Sequence, residues 1–199
     1  MINLDLLKSR CENVIILDTE TGGVDHRHHS ILSIGLVSWD QKQSQEIFVL
    51  EEELCTNPRS MEVNQIDLEW LKHNGLSPKA ACEAMDSFFT ACGWKEGDRP
   101  FLLVGHNIAF DLAFLRRLYD LAGRKMPPYF SHRSIDTHTL LWTLASLGIV
   151  PQSACSSDGA FGHYKVSPPK KLRHTALGDA LATRDLLEAI LDDFTRLGG

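Results

Sequence analysis

The stretch Val14-Ile15-Ile16-Leu17-Asp18-Thr19-Glu20-Thr21-Gly22-Gly23 decides how the rest of this chain is read. Four aliphatic residues lead into two carboxylates, and two glycines follow. A short unbroken apolar run of this kind reads as a strand buried on both faces. Side chains alternate along a strand, so Asp18 and Glu20 point to the same side. Two acids side by side at a buried strand end repel each other and are costly to desolvate. A divalent cation between them relieves both costs. The glycines allow a backbone or a ligand to come close. A strand leaving the core into a polar loop, with both acids solvated, accounts for the stretch as well, and the residues beyond it have to decide.

Working outward, 199 residues suit one domain with a substantial core. The apolar fraction of 43% and the charged fraction of 23% are ordinary for a globular protein. The cysteines at 11, 55, 82, 92 and 155 form no CxxC pair. That argues against a zinc module or a disulfide framework and fits a reducing, cytoplasmic compartment. Residues 1–12 lack the continuous apolar region of a signal peptide. The longest uncharged run, 137–157, is rich in Thr, Ser and Gln and broken by Pro151, so no membrane span is expected. The net charge of −6 is not that of a general nucleic-acid binder. A local basic patch can act against that sign, and an acid cluster that holds cations would itself contribute to it.

Strands are expected at about 14–18, 31–39, 47–50, 101–104 and 133–137, the second and third forming an antiparallel hairpin around the polar turn at 40–44. The segment 2–7 reads as a short helix or arm. Helices are expected from Asn57-Pro58 to Asn74-Gly75, from Ser77-Pro78 to about 92, over 108–122, after 137 to about 147, and over 175–197. Residues 151–171, with prolines, serines and glycines, read as a long irregular loop of the kind that often carries function. A meander followed by strands alternating with helices implies an α/β domain with a mixed sheet.

Two further acids stand out by position. Asp111 falls in the first turn of the helix after the fourth strand, and Asp179 near the start of the last helix. The helix macrodipole explains each on its own. Apolar neighbours, Phe110 and Leu112 for one and Ala180 and Leu181 for the other, put both near the edge of the core.

Taken together, Asp18-Thr19-Glu20-Thr21-Gly22, His106-Asn107-Ile108-Ala109-Phe110-Asp111 and His174-(four residues)-Asp179 resemble the three motifs of the DEDDh, or DnaQ-like, 3′–5′ exonucleases, a family that includes proofreading-subunit and ribonuclease T type enzymes. The motifs occur in the family's order, and the resemblance extends over about 14–191. It implies a ribonuclease H-like α/β fold, with a central five-stranded mixed sheet, its second strand antiparallel, flanked by helices. It implies a single exonuclease domain over 1–199, with the motif-bearing core at about 14–197. It also implies that Asp18, Glu20, Asp111 and Asp179 hold two divalent cations, Mg²⁺ or Mn²⁺, for which hard oxygen ligands are suited. Asp18 would bridge the two ions, Glu20 and Asp179 would complete one site, and Asp111 would act mainly through water on the other. A two-metal site stabilises both attacking and leaving oxygens of a phosphodiester.

His174 matches the family's general base, and imidazole titrates near neutrality. Five residues span about 140° around an ideal helix, so His174 and Asp179 converge only if His174 lies in the loop before the helix. Thr21 and Gly22 would offer backbone amides to the terminal nucleotide. Asn107 would tie the helix start to the sheet, Phe110 would pack in the core, and Asp136 would support the structure without being a ligand.

Substrate contacts are expected from Lys165, Lys170, Lys171 and Arg173, a basic segment leading to His174, since phosphates supply most sequence-independent affinity. A solvated polar loop is the competing reading. Phe161 and Tyr164 lie in the same region and could stack on bases. Met61, Asn64 and Gln65 occupy the place where relatives such as ribonuclease T carry an Asn-Gly-Ile-Asp-like segment against the terminal base, with helix capping the other reading for Asn64. His26, His28 and His29 fit no standard zinc spacing and read as a polar loop. Trp39, Trp70, Trp94 and Trp142 are expected to pack.

The expected function is metal-dependent 3′–5′ hydrolysis of single-stranded DNA or RNA ends, releasing nucleoside 5′-monophosphates. A catalytically silent nucleic-acid-binding module of the same fold and a ribonuclease H-type endonuclease are the rivals. The first would have no need of all four acids and His174, and the second usually has no counterpart of His174. A polymerase-binding tail is not expected after the last helix, and a homodimer stays open because some relatives are dimers.

Overall fold

The computed structural model describes residues 13–169, 172 and 174–197. The expected arm at 2–7 and the basic residues Lys170, Lys171 and Arg173 lie outside the described residues.

The sheet is built outward from β1 (Val14–Thr21). β1 pairs antiparallel with β2 (Ile31–Ser38), which pairs antiparallel with β3 (Ser44–Phe48). On its other side β1 runs parallel to β4 (Phe101–Gly105), and β4 parallel to β5 (Phe130–Asp136). The order is β3-β2-β1-β4-β5, five strands with β2 antiparallel to the rest, which is the ribonuclease H-like arrangement. β1 is central, so Ile15, Ile16 and Leu17 are almost wholly removed from water. Each such side chain stabilises the fold by about 1.5–3 kcal/mol.

Alternation along β1 sorts the two faces. Ile15 and Leu17 join Ile34, Leu36, Leu103, Phe89, Phe114 and Leu115 in the main core. The helices over that face are α3 (Pro78–Ala91) and α4 (Ile108–Leu121). Val14 and Ile16, with Val37 and Val104, pack against Ala180 and Leu187 of the last helix, α7 (Ala176–Leu197). A smaller cluster under α7 gathers Leu141 and Leu144 of α5 (Thr137–Ser146), Ala154 from a short 3₁₀ turn, and Ala160 of α6 (Ser157–Tyr164).

Several boundaries differ from the sequence expectation. β1 continues past Asp18 to Thr21 because pairing with β2 persists to Thr21 and Ile31, across a bulge. β3 starts at Ser44, since its polar residues pair with β2, while Val49 falls beyond it. β5 begins at Phe130. The helix expected over 58–74 is two helices, α1 (Pro58–Asn64) and α2 (Leu68–Asn74). Gln65 ends α1 in a left-handed conformation with φ 54°, and Asp67 caps α2 by accepting the amides of Glu69 and Trp70. The loop expected at 151–171 contains the 3₁₀ turn and α6, whose amide of Gly159 is capped by Ser156. Of the four tryptophans, Trp70 and Trp142 are exposed by 44% and 47% and are not core residues. Trp94 packs against the main core, and Trp39 lies under the Arg184 guanidinium, 4.7 Å from its ring centre.

Among the described residues, no helix is long and apolar enough to cross a membrane.

Candidate active site

The acids collect where β1 emerges from the core. Asp18 and Glu20 continue the face of Val14 and Ile16, so both look toward the start of α7. Asp179, in the first turn of α7, meets them there. Asp18, Glu20 and Asp179 each offer a carboxylate oxygen, and these atoms all lie within 4.8 Å of one another.

Asp111 approaches from the other face of β1. It is 4% exposed in the first turn of α4 and accepts a hydrogen bond from Thr19 Oγ1 at 2.7 Å. Thr19 lies between Asp18 and Glu20 and points the opposite way, so one strand reaches acids on both of its faces.

The electrostatics follow from this crowding. Burial, then the charges of Asp111, Asp179 and Glu20, push the carboxyl of Asp18 well above its ordinary range. Burial, then Asp179 and Glu46, push Glu20 up to about 8. Burial raises Asp111 to about 7, against the pull of the Thr19 hydroxyl. An all-oxygen donor set that resists its own charge is matched to a hard divalent cation and poorly matched to a soft metal.

His174 lies before α7, with a left-handed backbone of φ 59°. It lines a cleft of about 830 Å³ together with Asp179, Asp158, Phe161 and Pro168. His174 is thus in the loop and Asp179 in the helix, both bordering the same cleft.

The second motif is held by β5. Asn107 caps α4 in a left-handed conformation, φ 63°, and its amide donates to Asp136 Oδ1 at 2.7 Å. Asp136 ends β5, caps α5 through His138 and accepts from Thr139 Oγ1. Asn107 thus ties the helix start to the sheet, and Asp136 is the tie. Phe110 is partly buried against Phe114, 4.9 Å between ring centres. His106 stacks on His138 at 5.4 Å and bonds to Thr137 Oγ1.

The expected substrate contacts divide. Gly22 corrects the expectation of a free amide: its N–H donates to Ser30 O at 2.8 Å, which closes the β1–β2 turn. Its glycine character serves packing, since a Cβ there would stand 2.4 Å from Cys55 O. Thr21 is buried and its hydroxyl donates to Gly23 O. Asn64 is 4% exposed, donates to Thr21 O at 3.1 Å and accepts from Ile66 N, so it braces the end of β1. Met61 is half-buried and Gln65 is exposed beside it. Lys165 is exposed and ends α6 in a left-handed conformation. Tyr164 is committed elsewhere, donating to Asp193 Oδ2, whereas Phe161 lines the cleft of His174. In the histidine loop, His28 pairs with Asp25, and His26 meets Phe114 edge-on.

Two residues beside the acids escaped the sequence reading. Thr19 was hidden as the spacer between them. Glu46 sits on β3 in register with Gly35, which is itself in register with Asp18. Strand alternation carried across the hairpin would have put Glu46 in the acid row.

The family model described as "Exonuclease" (RNase_T) matches residues 15–187. Ribonuclease T of Shewanella frigidimarina is 28% identical over 197 residues, 93% of this chain and 85% of its own. Ribonuclease T of Haemophilus ducreyi is 23% identical over 208 residues, 98% of this chain and 93% of its own. Among solved structures, E. coli exonuclease I in complex with a dT13 oligonucleotide gives a TM-score of 0.73 at 13% identity, over 92% of this chain. The chain spans 42% of that protein's length. The nuclease domain of 3′hExo, a DEDDh family member, bound to rAMP gives 0.69 at 14% identity, over 90% of this chain and 92% of that one. At such identities these structures speak for the fold.

Proposed function

The chain belongs to the exonuclease family and is a 3′–5′ exonuclease, and from that premise we propose that it hydrolyses single-stranded 3′ ends with two divalent cations, magnesium or manganese, releasing nucleoside 5′-monophosphates. The observation that carries this reading is the meeting of Asp18, Glu20 and Asp179 within 4.8 Å, with the carboxyls of Asp18 and Glu20 raised by burial and by the neighbouring acids. In this reading the catalytic unit is a single domain with its motif-bearing core at about 14–197.

Asp18 would be shared between the ions, Glu20 and Asp179 would complete one site, and Asp111, oriented by Thr19, would serve the other mainly through water. When bound, the cations supply Lewis-acid activation of the attacking water and charge stabilisation at the attacked phosphate. His174, in a loop position open to the cleft, would serve as the base that accepts a proton from the attacking water. Met61 and Gln65 on the α1 side, and Lys165 at the end of α6, would border the path of the strand, with Lys171 and Arg173, close to His174 in sequence, proposed as further phosphate contacts. Phe161 offers that path an aromatic face. The free thiols of Cys55, Cys82, Cys92 and Cys155 suit a reducing cytoplasm.

Among substrates RNA is favoured, because the ribonuclease T relatives match over nearly the whole chain. The test is hydrolysis of matched DNA and RNA oligonucleotides labelled at the 5′ end, single- and double-stranded, with magnesium. A ladder shortening from the 3′ end, an intact circular single strand and an inert Asp18→Ala variant are expected. Wild type and variant equally inert, or a cut circle, overturns the reading.

A further inference from the structure

We propose that Glu46 is a positioning residue for the reaction: from β3 it anchors the first turn of α7, and through that turn it sets where Asp179 and His174 stand. This rests on the exonuclease reading and extends it to a side chain outside the three motifs.

The first argument is register. Asp18, Gly35 and Glu46 form one row across β1, β2 and β3. Directly paired residues share a face of the sheet, so Glu46 lies on the side of Asp18 and Glu20, roughly 10 Å from Asp18 along the row. Between them Gly35 leaves a gap, and α7 fills it. A Cβ on Gly35 would stand 2.2 Å from the carbonyl carbon and oxygen of Ala176 and 2.5 Å from Leu177 N. The backbone at the start of α7 therefore rests directly on the sheet, in the row of Asp18.

The second argument accounts for the orphan amides of that helix. The first amides of a helix have no partner within it. Gly178 N is capped by Thr175 Oγ1, and Asp179 N reaches Thr175 O. The two amides before them, Leu177 and Ala176, lie over the Gly35–Glu46 row and pull on the carboxylate of Glu46, which also receives Ser33 Oγ at 3.4 Å. A carboxylate is favoured at a helix N-terminus by the macrodipole and by charge-assisted hydrogen bonds. Glu46 is thus a cap supplied from another element, and what it fixes is the height of α7 above the acid row.

The third argument is the short path from that turn to the histidine. His174 stands two residues ahead of Ala176 with a left-handed backbone, so any shift of that turn is passed directly to the histidine.

The test compares Glu46→Ala and Glu46→Gln with wild type in magnesium-dependent hydrolysis of a 5′-labelled oligonucleotide. Amide exchange at Ala176 and Leu177 is followed by NMR, and folding is verified by thermal melting. Removing the anchor should lower kcat on the order of 10–100-fold, the effect of a displacement of about 1 Å. KM and the half-saturating magnesium concentration should hold. Glu46→Gln keeps an acceptor for the amides and should recover most of the rate. Protection at Ala176 and Leu177 should be lost in Glu46→Ala alone. Wild-type kcat in Glu46→Ala overturns the proposal. So does equal loss in both variants with a raised magnesium requirement, which would make Glu46 a ligand. If wild type is inert on every oligonucleotide, the exonuclease reading fails. The anchor is then supported by lost amide protection in Glu46→Ala and overturned by its retention.

Discussion

Gly35 and Ala176 touch so closely that a single methyl group on Gly35 would stand 2.2 Å from the Ala176 carbonyl. The neighbour is backbone, so it cannot rotate aside. Gly35→Ala is expected to lift α7 from the sheet and cost about 1–3 kcal/mol through overpacking. At this chain length each kcal/mol lowers Tm by about 2–4 °C. Because Asp179 rides on the displaced turn, kcat should fall more than thermal stability alone explains. Thermal melting and single-turnover hydrolysis on the same preparation check this, and unchanged turnover in a folded variant counts against the coupling.

Asp18→Asn removes one charge from the crowded row while keeping its shape. Activity is expected to fall to background. The metal-free protein is expected to melt at a higher temperature than wild type, because repulsion with Asp111, Asp179 and Glu20 is relieved. The gain in Tm that magnesium gives wild type should largely disappear. Differential scanning calorimetry with and without magnesium reads all of these except activity.

Stability of the metal-free protein should fall as pH rises from 5 to 8. Glu20 has its carboxyl raised from 4.5 to about 8 in the folded state, and Asp111 is raised to about 7. A carboxyl raised in this way holds its proton more tightly when folded than when unfolded. Its stabilising contribution is fully present below the unfolded value and is lost as pH climbs through the folded one. Magnesium should reverse most of that loss at pH 8 and do little at pH 5, where protons compete with it. A Tm series over pH, with magnesium or with a chelator, is the measurement, and a flat metal-free profile would contradict it.

Arg117 holds Glu51 with the two terminal nitrogens of its guanidinium, the contact from Nη2 at 2.7 Å. Glu51 is 4% exposed and also accepts Ile31 N and Ser30 Oγ at the start of β2. Arg117→Ala leaves that carboxylate buried without its cation, and a loss of about 3–5 kcal/mol is expected in urea denaturation. The pair lies outside the acid row, so kcat of the folded variant should stay near wild type.

What the sequence disclosed and what it concealed have separate causes. β1 was legible because four aliphatic residues admit one reading and period-2 alternation carries Asp18 and Glu20 to one face. His174 was singled out by its match to the family's third motif, and its place in the loop before α7 was legible because helical geometry forbids it and Asp179 to converge if both are helical. The break between α1 and α2 was concealed because Gln65, an unusual residue for a left-handed cap, makes it. α6 was concealed by Gly159 and Gly162, which dilute its helical pattern. The bond from Gly22 N to Ser30 O was invisible because it depends on how a loop closes in space. Glu46 was lost within a polar edge strand, where a solvated face is the ordinary expectation.

Asp18 lies in the second half of the first strand and Asp179 at the start of the last helix, so the acid cluster is closed by segments far apart in the chain. During synthesis β1 leaves the ribosome long before α7. No nascent fragment lacking α7 can bring Asp179 to Asp18. The acid cluster of this exonuclease is therefore complete only once α7 has docked, so the order of the chain itself delays the assembly of the site until synthesis has passed Asp179.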